Sequence, residues 1–165
     1  MRDFLNQIQQ ALTANLYYVA LFAGLAIPDI CGALQSTNGR ASKAKYVNWF
    51  DRYVAGLYAG NLTGQDCYYY RCSALHQGSS QNPQARYLRI LFIEPSATTN
   101  VFHNNVLNNA LNIDVRIFCN DIISGALLWL QQHQNTPTYL QNHALYMKRY
   151  PNGLPPYIVG VPVIS

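Results

Sequence analysis

Apolar side chains return at three- and four-residue steps from the start of the chain, at Phe4, Leu5, Ile8, Leu12, Leu16, Val19, Phe22, Ala23 and Ala26. This is the period of one helix face, and it predicts an amphipathic helix over residues 3–26. Pro28 lacks an amide hydrogen and is expected to kink or end that helix, with a further helical piece at 29–34. Residues 16–27 carry no charge, yet they fall short of the roughly 18–20 apolar residues a membrane span needs, so a buried core helix is expected. After the turn chemistry of residues 36–40, Ser42 reads as the N-cap of a helix carrying Tyr46, Val47, Trp49, Phe50, Tyr53 and Val54. Thr63 and Asp66 stand at capping-box spacing, with Asp where Glu or Gln is usual. The helix they open is expected to run through Arg71 and His76 and to stop at Gly78.

The pattern then changes. Residues 87–93 are β-rich and end at Glu94-Pro95, which predicts a strand, with residues 100–103 as its hairpin partner. Asp114 reads as the cap of a long helix with the stripe Val115, Phe118, Ile122, Ala126, Trp129 and Leu130. Pro137 is expected to end that region, residues 139–150 to form a last helix, and the four prolines of 151–165 to hold an extended tail. The fold class expected is therefore mainly α, a bundle of about four to five helices with a small β-hairpin insertion near 86–104. Residues 1–150 form one domain in this reading, and 151–165 form its tail.

Composition narrows the chemistry. The seven carboxylates, Asp3, Asp29, Asp51, Asp66, Glu94, Asp114 and Asp121, are scattered singly. Magnesium and calcium sites need clustered oxygen ligands, and a glycosidase needs a facing carboxylate pair. A metal-dependent hydrolase is disfavoured, and no cofactor is expected. Cys31, Cys67, Cys72 and Cys119 show no zinc-site spacing, and Met1-Arg2-Asp3-Phe4 opens directly into the helical pattern. Free thiols in a reducing cytoplasm are expected, with no membrane attachment. A formal charge of +4 favours an anionic partner. Arg40, Lys43 and Lys45 form one local basic cluster, which by itself reads as a solvated loop and helix start. Charged residues make up only 11% of the chain, so polar uncharged surface and apolar groups point to an oligomer.

Arg71 and His76 are the one close pairing of a permanent cation with a side chain that exchanges protons near neutral pH. Together they suit phosphodiester cleavage, where an anion is held and a proton moved. Five residues on a helix place them about 140° apart with ~7.5 Å of rise, so convergence depends on the reach of the arginine. By spacing alone the pair reads more simply as an Arg bonded to Asp66 or to a helix C-terminus, beside a His at that terminus. A Cys72–His76 thiolate pair is a further arrangement at i,i+4, but no oxyanion-hole sequence accompanies it. Tyr68, Tyr69 and Tyr70 either stack on bases or pack the helix, with core packing favoured for two of the three. His103, His133 and His143 lack ligand spacing and are expected at the surface or an interface.

The segment Arg71-Cys72-Ser73-Ala74-Leu75-His76 resembles the Arg-x4–6-His motif of the HEPN superfamily, helical-bundle domains of prokaryotic toxins, phage-defence proteins and RNA-processing factors. The motif falls on a third predicted helix, Gly78 follows His76 closely as in many members, and a Trp-bearing helix comes next. The resemblance spans roughly residues 3–134 in architecture and six residues in motif. It implies a metal-independent endoribonuclease acting as a homodimer with two motifs facing each other. His76 would be the general acid or base, and Arg71 would hold the scissile phosphate. The products would be 2′,3′-cyclic phosphate and 5′-OH ends. A toxin or defence setting carries the further expectation of a neutralising antitoxin or partner protein. At Cys72 the chain departs from the family, which usually carries a polar residue there, often Asn or Asp. Cys72, Ser73, Gln77 and Tyr70 are the candidate substrate contacts. A non-catalytic RNA- or protein-binding module of the same fold, and an unrelated helical interaction protein, are the alternatives.

Overall fold

Local signals set most helix starts. The computed structural model describes residues 1–95 and 101–165, and among them are six α-helices. The first two are α1 (Arg2–Thr13) and α2 (Tyr17–Leu34). The single helix expected over 3–26 is thus broken, and the break is at Asn15, whose backbone is left-handed with φ 58°. Asparagine tolerates that conformation, and its Oδ1 accepts from the Tyr17 hydroxyl at 2.8 Å. Pro28, expected as a kink or stop, lies buried inside α2, which continues to Leu34.

By length and composition α2 is apolar enough to cross a membrane, but half of it is buried within the fold. It packs against α1, α3 (Lys43–Tyr53), α4 (Gly64–Gln77), α5 (Val115–His133) and α6 (Pro137–Ala144). It is the central helix of the core.

Ser42 caps α3 by accepting from the Lys45 amide, and Asp114 caps α5 by accepting from the amides of Arg116 and Ile117. At α4 both halves of the capping box form: Asp66 accepts from the Thr63 amide, and the Thr63 hydroxyl accepts from the Asp66 amide. Gly78 ends α4 in the left-handed region.

Gly64, the first residue of α4, meets α3 so closely that a Cβ would lie 2.6 Å from the Val47 carbonyl oxygen and 2.9 Å from Val47 Cα. Both atoms are backbone and cannot yield cheaply. Gly64→Ala is expected to cost about 1–3 kcal/mol by forcing the two helices apart, read as a lower midpoint in urea. An unchanged midpoint would mean that the α3–α4 contact is soft.

The β insertion is a three-stranded sheet in the order β1-β3-β2, formed by β1 (Arg89–Ile93), β2 (Asn105–Leu107) and β3 (Ala110–Asp114). The strand expected at 87–93 is present. Its partner is β3, paired in parallel from Arg89↔Ala110 to Ile93↔Asp114. Residues 101–103 form no strand, and Asn100 lies outside the described residues. The hairpin joins β2 to β3 through Asn108 and Asn109, at φ 50° and 58°. Two positive φ values suit the turn that matches strand twist. Because β3 leads straight into α5, the molecule is mainly α but not a pure bundle.

The core gathers Trp129, Tyr46, Tyr58, Phe50 and Phe118. Their polar tips find partners: Tyr46 donates to the Leu25 carbonyl, Tyr58 to Asp121, and Trp129 Nε1 to Gln35. Pro137, expected as a stop, is instead the first residue of α6, where a missing amide hydrogen is tolerated. That helix ends at Ala144, short of the expected 139–150. The tail doubles back on itself in nested antiparallel pairs. Arg149–Tyr150 pairs with Val163–Ile164, and Gly153–Leu154 pairs with Ile158–Val159.

Three histidines are tied into this framework. His143 is stacked between Tyr139 and Tyr146, His133 packs on Trp129, and His103 packs on Tyr58. Burial, first among the causes, lowers the pKa of each below the ordinary value of 6.5. A base lowered by folding contributes stability that is full above its unfolded pKa and is lost as the pH falls through the folded one. The melting temperature is therefore expected to fall as the pH drops below 6.5, and His143→Phe to shrink that fall. A flat profile over this range would contradict the assignment.

Candidate functional site

The site is built where α4 lies on α2. Arg71 and His76 do meet: Arg71 Nη1 donates to His76 Nε2 at 2.8 Å. Their angular separation on the helix is bridged by the long arginine, and each Cβ leans toward the helix N-terminus, which carries the imidazole back over the preceding turn. Arginine has no acceptor, so Nε2 offers its lone pair and the ring proton resides on Nδ1. His76 is exposed, whereas the Arg71 side chain is only 18% exposed. One member of the pair is thus rooted in the fold, and the other faces solvent.

The root is Asp29 on α2, whose carboxylate forms an ion pair with Arg71 Nη2 and is 13% exposed. The sequence offered Asp66 as partner, but Asp66 is taken by Arg86 at 2.9 Å and by the capping box. Burial pushes the Asp29 carboxyl above its ordinary value, and the charge and hydrogen bond of Arg71 pull it down without fully offsetting that rise. For the guanidinium, burial acts to lower the pKa, yet Asp29 and Cys72 outweigh it and leave it raised. Arg71 Nε is buried and has no acceptor among the described residues.

The remaining candidates divide. Cys72 is half-buried beside the pair, its Sγ accepting from Arg71 Nη1 at 3.7 Å, and a hydrogen bond with Cys72 raises the Tyr68 phenol. Gln77 is exposed next to His76. Ser73 is buried at 1% exposure and accepts from Asn82 Nδ2 at 3.0 Å, so it ties the following loop to α4. Tyr70 points elsewhere: it packs on Phe92 of β1 and lines a cleft with Tyr17, Tyr18 and Leu21 that includes neither Arg71 nor His76. Tyr68 stacks edge-on to Tyr46, and Tyr69 accepts a hydrogen bond from Lys43 Nζ at 2.8 Å. Both rings lie under Lys43, and Tyr68 also lies 5.9 Å from the Arg71 guanidinium. Among the described residues no three His, Cys, Asp or Glu side chains gather into a metal-ligand set. All four cysteines are free, and burial pushes Cys67 and Cys119 up to about 12, well removed from the thiolate form.

Asp29 is the functional candidate that the sequence did not reveal. It stands alone in the chain, immediately after Pro28, with no local partner to mark it. No family model matches the chain, and neither a curated protein nor a solved structure matches it.

Proposed function

We propose that the chain is a HEPN-like, metal-independent endoribonuclease, working as a homodimer in a toxin or defence role, with Arg71 and His76 as its catalytic pair. The observation that carries this reading is the 2.8 Å contact between Arg71 Nη1 and an exposed His76 Nε2. The unprotonated Nε2 is the form a general base requires to take the proton of a ribose 2′-OH. The attacking 2′-oxygen then forms its bond to phosphorus as the 5′-oxygen leaves. Protonation of that leaving oxygen by imidazolium, from this chain or its dimer mate, completes the step and yields a 2′,3′-cyclic phosphate. Arg71, charged throughout, stabilises the negative charge that builds on the phosphoryl oxygens. To do so it must turn donors from His76 toward the phosphate, while Asp29 keeps the guanidinium from leaving the site.

One observation favours a second reading, a binding module without turnover. Within a single chain Arg71 is already ion-paired with Asp29 and gives donors to His76 and Cys72. A network so engaged suits holding a partner or a fold as well as chemistry. The readings separate when purified protein is incubated with RNA in excess EDTA. Fragments ending in 2′,3′-cyclic phosphate support the nuclease, and intact RNA that nonetheless binds supports the module.

A further inference from the structure

A second cleft, lined by α2, α3 and the turn after α2, has a chemistry distinct from that of the Arg71 site. Its volume is about 350 Å³, and Lys45, Asn48, Trp49, Arg52, Tyr53 and Gln35 line it. The two charged residues of that lining are both cations, with no carboxylate among the rest. Asp51, the acidic neighbour of Arg52 in sequence, accepts from the Gly64 amide at the start of α4.

Arg52 is exposed, lies 5.5 Å from the Tyr53 ring, and among the described residues makes no ion pair or hydrogen bond. Its five donors are unspent. Lys45 Nζ gives two of its three hydrogens to the Arg40 carbonyl and Asn38 Oδ1, both neutral, so its charge is positioned but not neutralised. Trp49 is 4% exposed, and its Nε1–H is buried with no acceptor among the described residues. A buried indole N–H usually finds a partner. Close packing shapes the floor, where a Cβ on Gly32 would lie 3.0 Å from Lys45 Cβ.

We propose that this cleft binds the phosphate group of a phosphate ester, with Arg52 and Lys45 balancing its charge and the Trp49 indole N–H donating to an oxygen of the same molecule. The volume exceeds what a lone phosphate fills, and the Tyr53 ring with the Asn48 and Gln35 amides offers a stacking surface and polar contacts to the esterified part. The phosphate can belong to a small free ester or to the backbone of an RNA strand. The proposal does not depend on cleavage at Arg71 and His76.

Calorimetric titration of the intact protein with inorganic phosphate, with AMP and with a single-stranded RNA methylated at every 2′-oxygen tests it, because none of these probes can be cleaved by attack of a 2′-OH. AMP or the methylated RNA is expected to bind saturably. Arg52→Gln, at an exposed position, is expected to weaken that binding about tenfold or more, since hydrogen bonds to charged groups are the strong ones. Trp49→Phe, which keeps an aromatic side chain but removes the N–H with the pyrrole half of the indole, is expected to weaken it less. Saturation by AMP with RNA silent identifies a small ester, and Arg52-dependent binding of RNA with AMP silent identifies the strand. No saturable heat from any probe, or an affinity that Arg52→Gln leaves unchanged, overturns the proposal.

Discussion

Replacing His76 with alanine is expected to lower RNA cleavage in excess EDTA by about 10²–10⁴-fold, the usual contribution of a positioned acid or base. The same substitution is expected to leave stability within about 0.5 kcal/mol, because His76 is exposed and its hydrogen bond is to a charge already paired elsewhere. The separation between the two readouts matters more than either alone. A structural histidine would lose stability and activity together, whereas a proton carrier loses activity at full stability. Equal cleavage by wild type and variant would remove His76 from the chemistry and leave the Arg71 network as a scaffold.

Asp29→Ala is expected to act in the opposite sense on stability. It strands a mostly buried guanidinium whose Nε already lacks an acceptor. Breaking one side of a buried pair costs about 3–5 kcal/mol, and partial exposure of Arg71 brings the expectation here nearer 2–3 kcal/mol. At about 2–4 °C per kcal/mol for a chain of this size, the melting temperature is expected to fall by roughly 5–10 °C.

The raised pKa of Asp29 adds a second expectation. An acid raised by folding contributes stability that is full below its unfolded pKa and is lost as the pH climbs through the folded one, so at neutral pH the buried carboxylate is a net burden. Replacing both partners, as Asp29→Leu with Arg71→Met, is therefore expected to hold or raise the melting temperature while abolishing cleavage. If the double variant is as unstable as Asp29→Ala, the ion pair belongs to the fold and not to the site.

What the chain disclosed in advance was mostly short-range. The caps at Ser42, Thr63–Asp66, Gly78 and Asp114 each involve groups within a few residues, and each is where the sequence placed it. The break at Asn15 was hidden because the apolar stripe continues through it in step. Only the tolerance of asparagine for a left-handed backbone marks the place, and asparagine is common elsewhere. Pro28 misled for the converse reason: burial against several helices outweighs one missing hydrogen bond. The parallel pairing of β1 with β3 is non-local and leaves no periodic trace, though Asn108-Asn109 between two short apolar runs was a legible hairpin signal. At the site, the motif on α4 was visible and its anchor was not. Which carboxylate Arg71 finds is decided by how α2 crosses α4, and Asp66, the nearer candidate in sequence, is consumed by its own cap and Arg86.

That crossing has a consequence for how the site fails. Asp29 sits on the helix that packs against every other α-helix among the described residues. Fraying at either terminus, or peeling of the folded-back tail, leaves Arg71 where it is, because neither motion shifts α2. The cation loses its anchor only when α4 parts from the central helix, and that packing belongs to the same core as the rest of the fold. Heat should therefore detach Arg71 from Asp29 and unfold the protomer in a single event, with no stretch of temperature in which a detached guanidinium persists inside an intact fold.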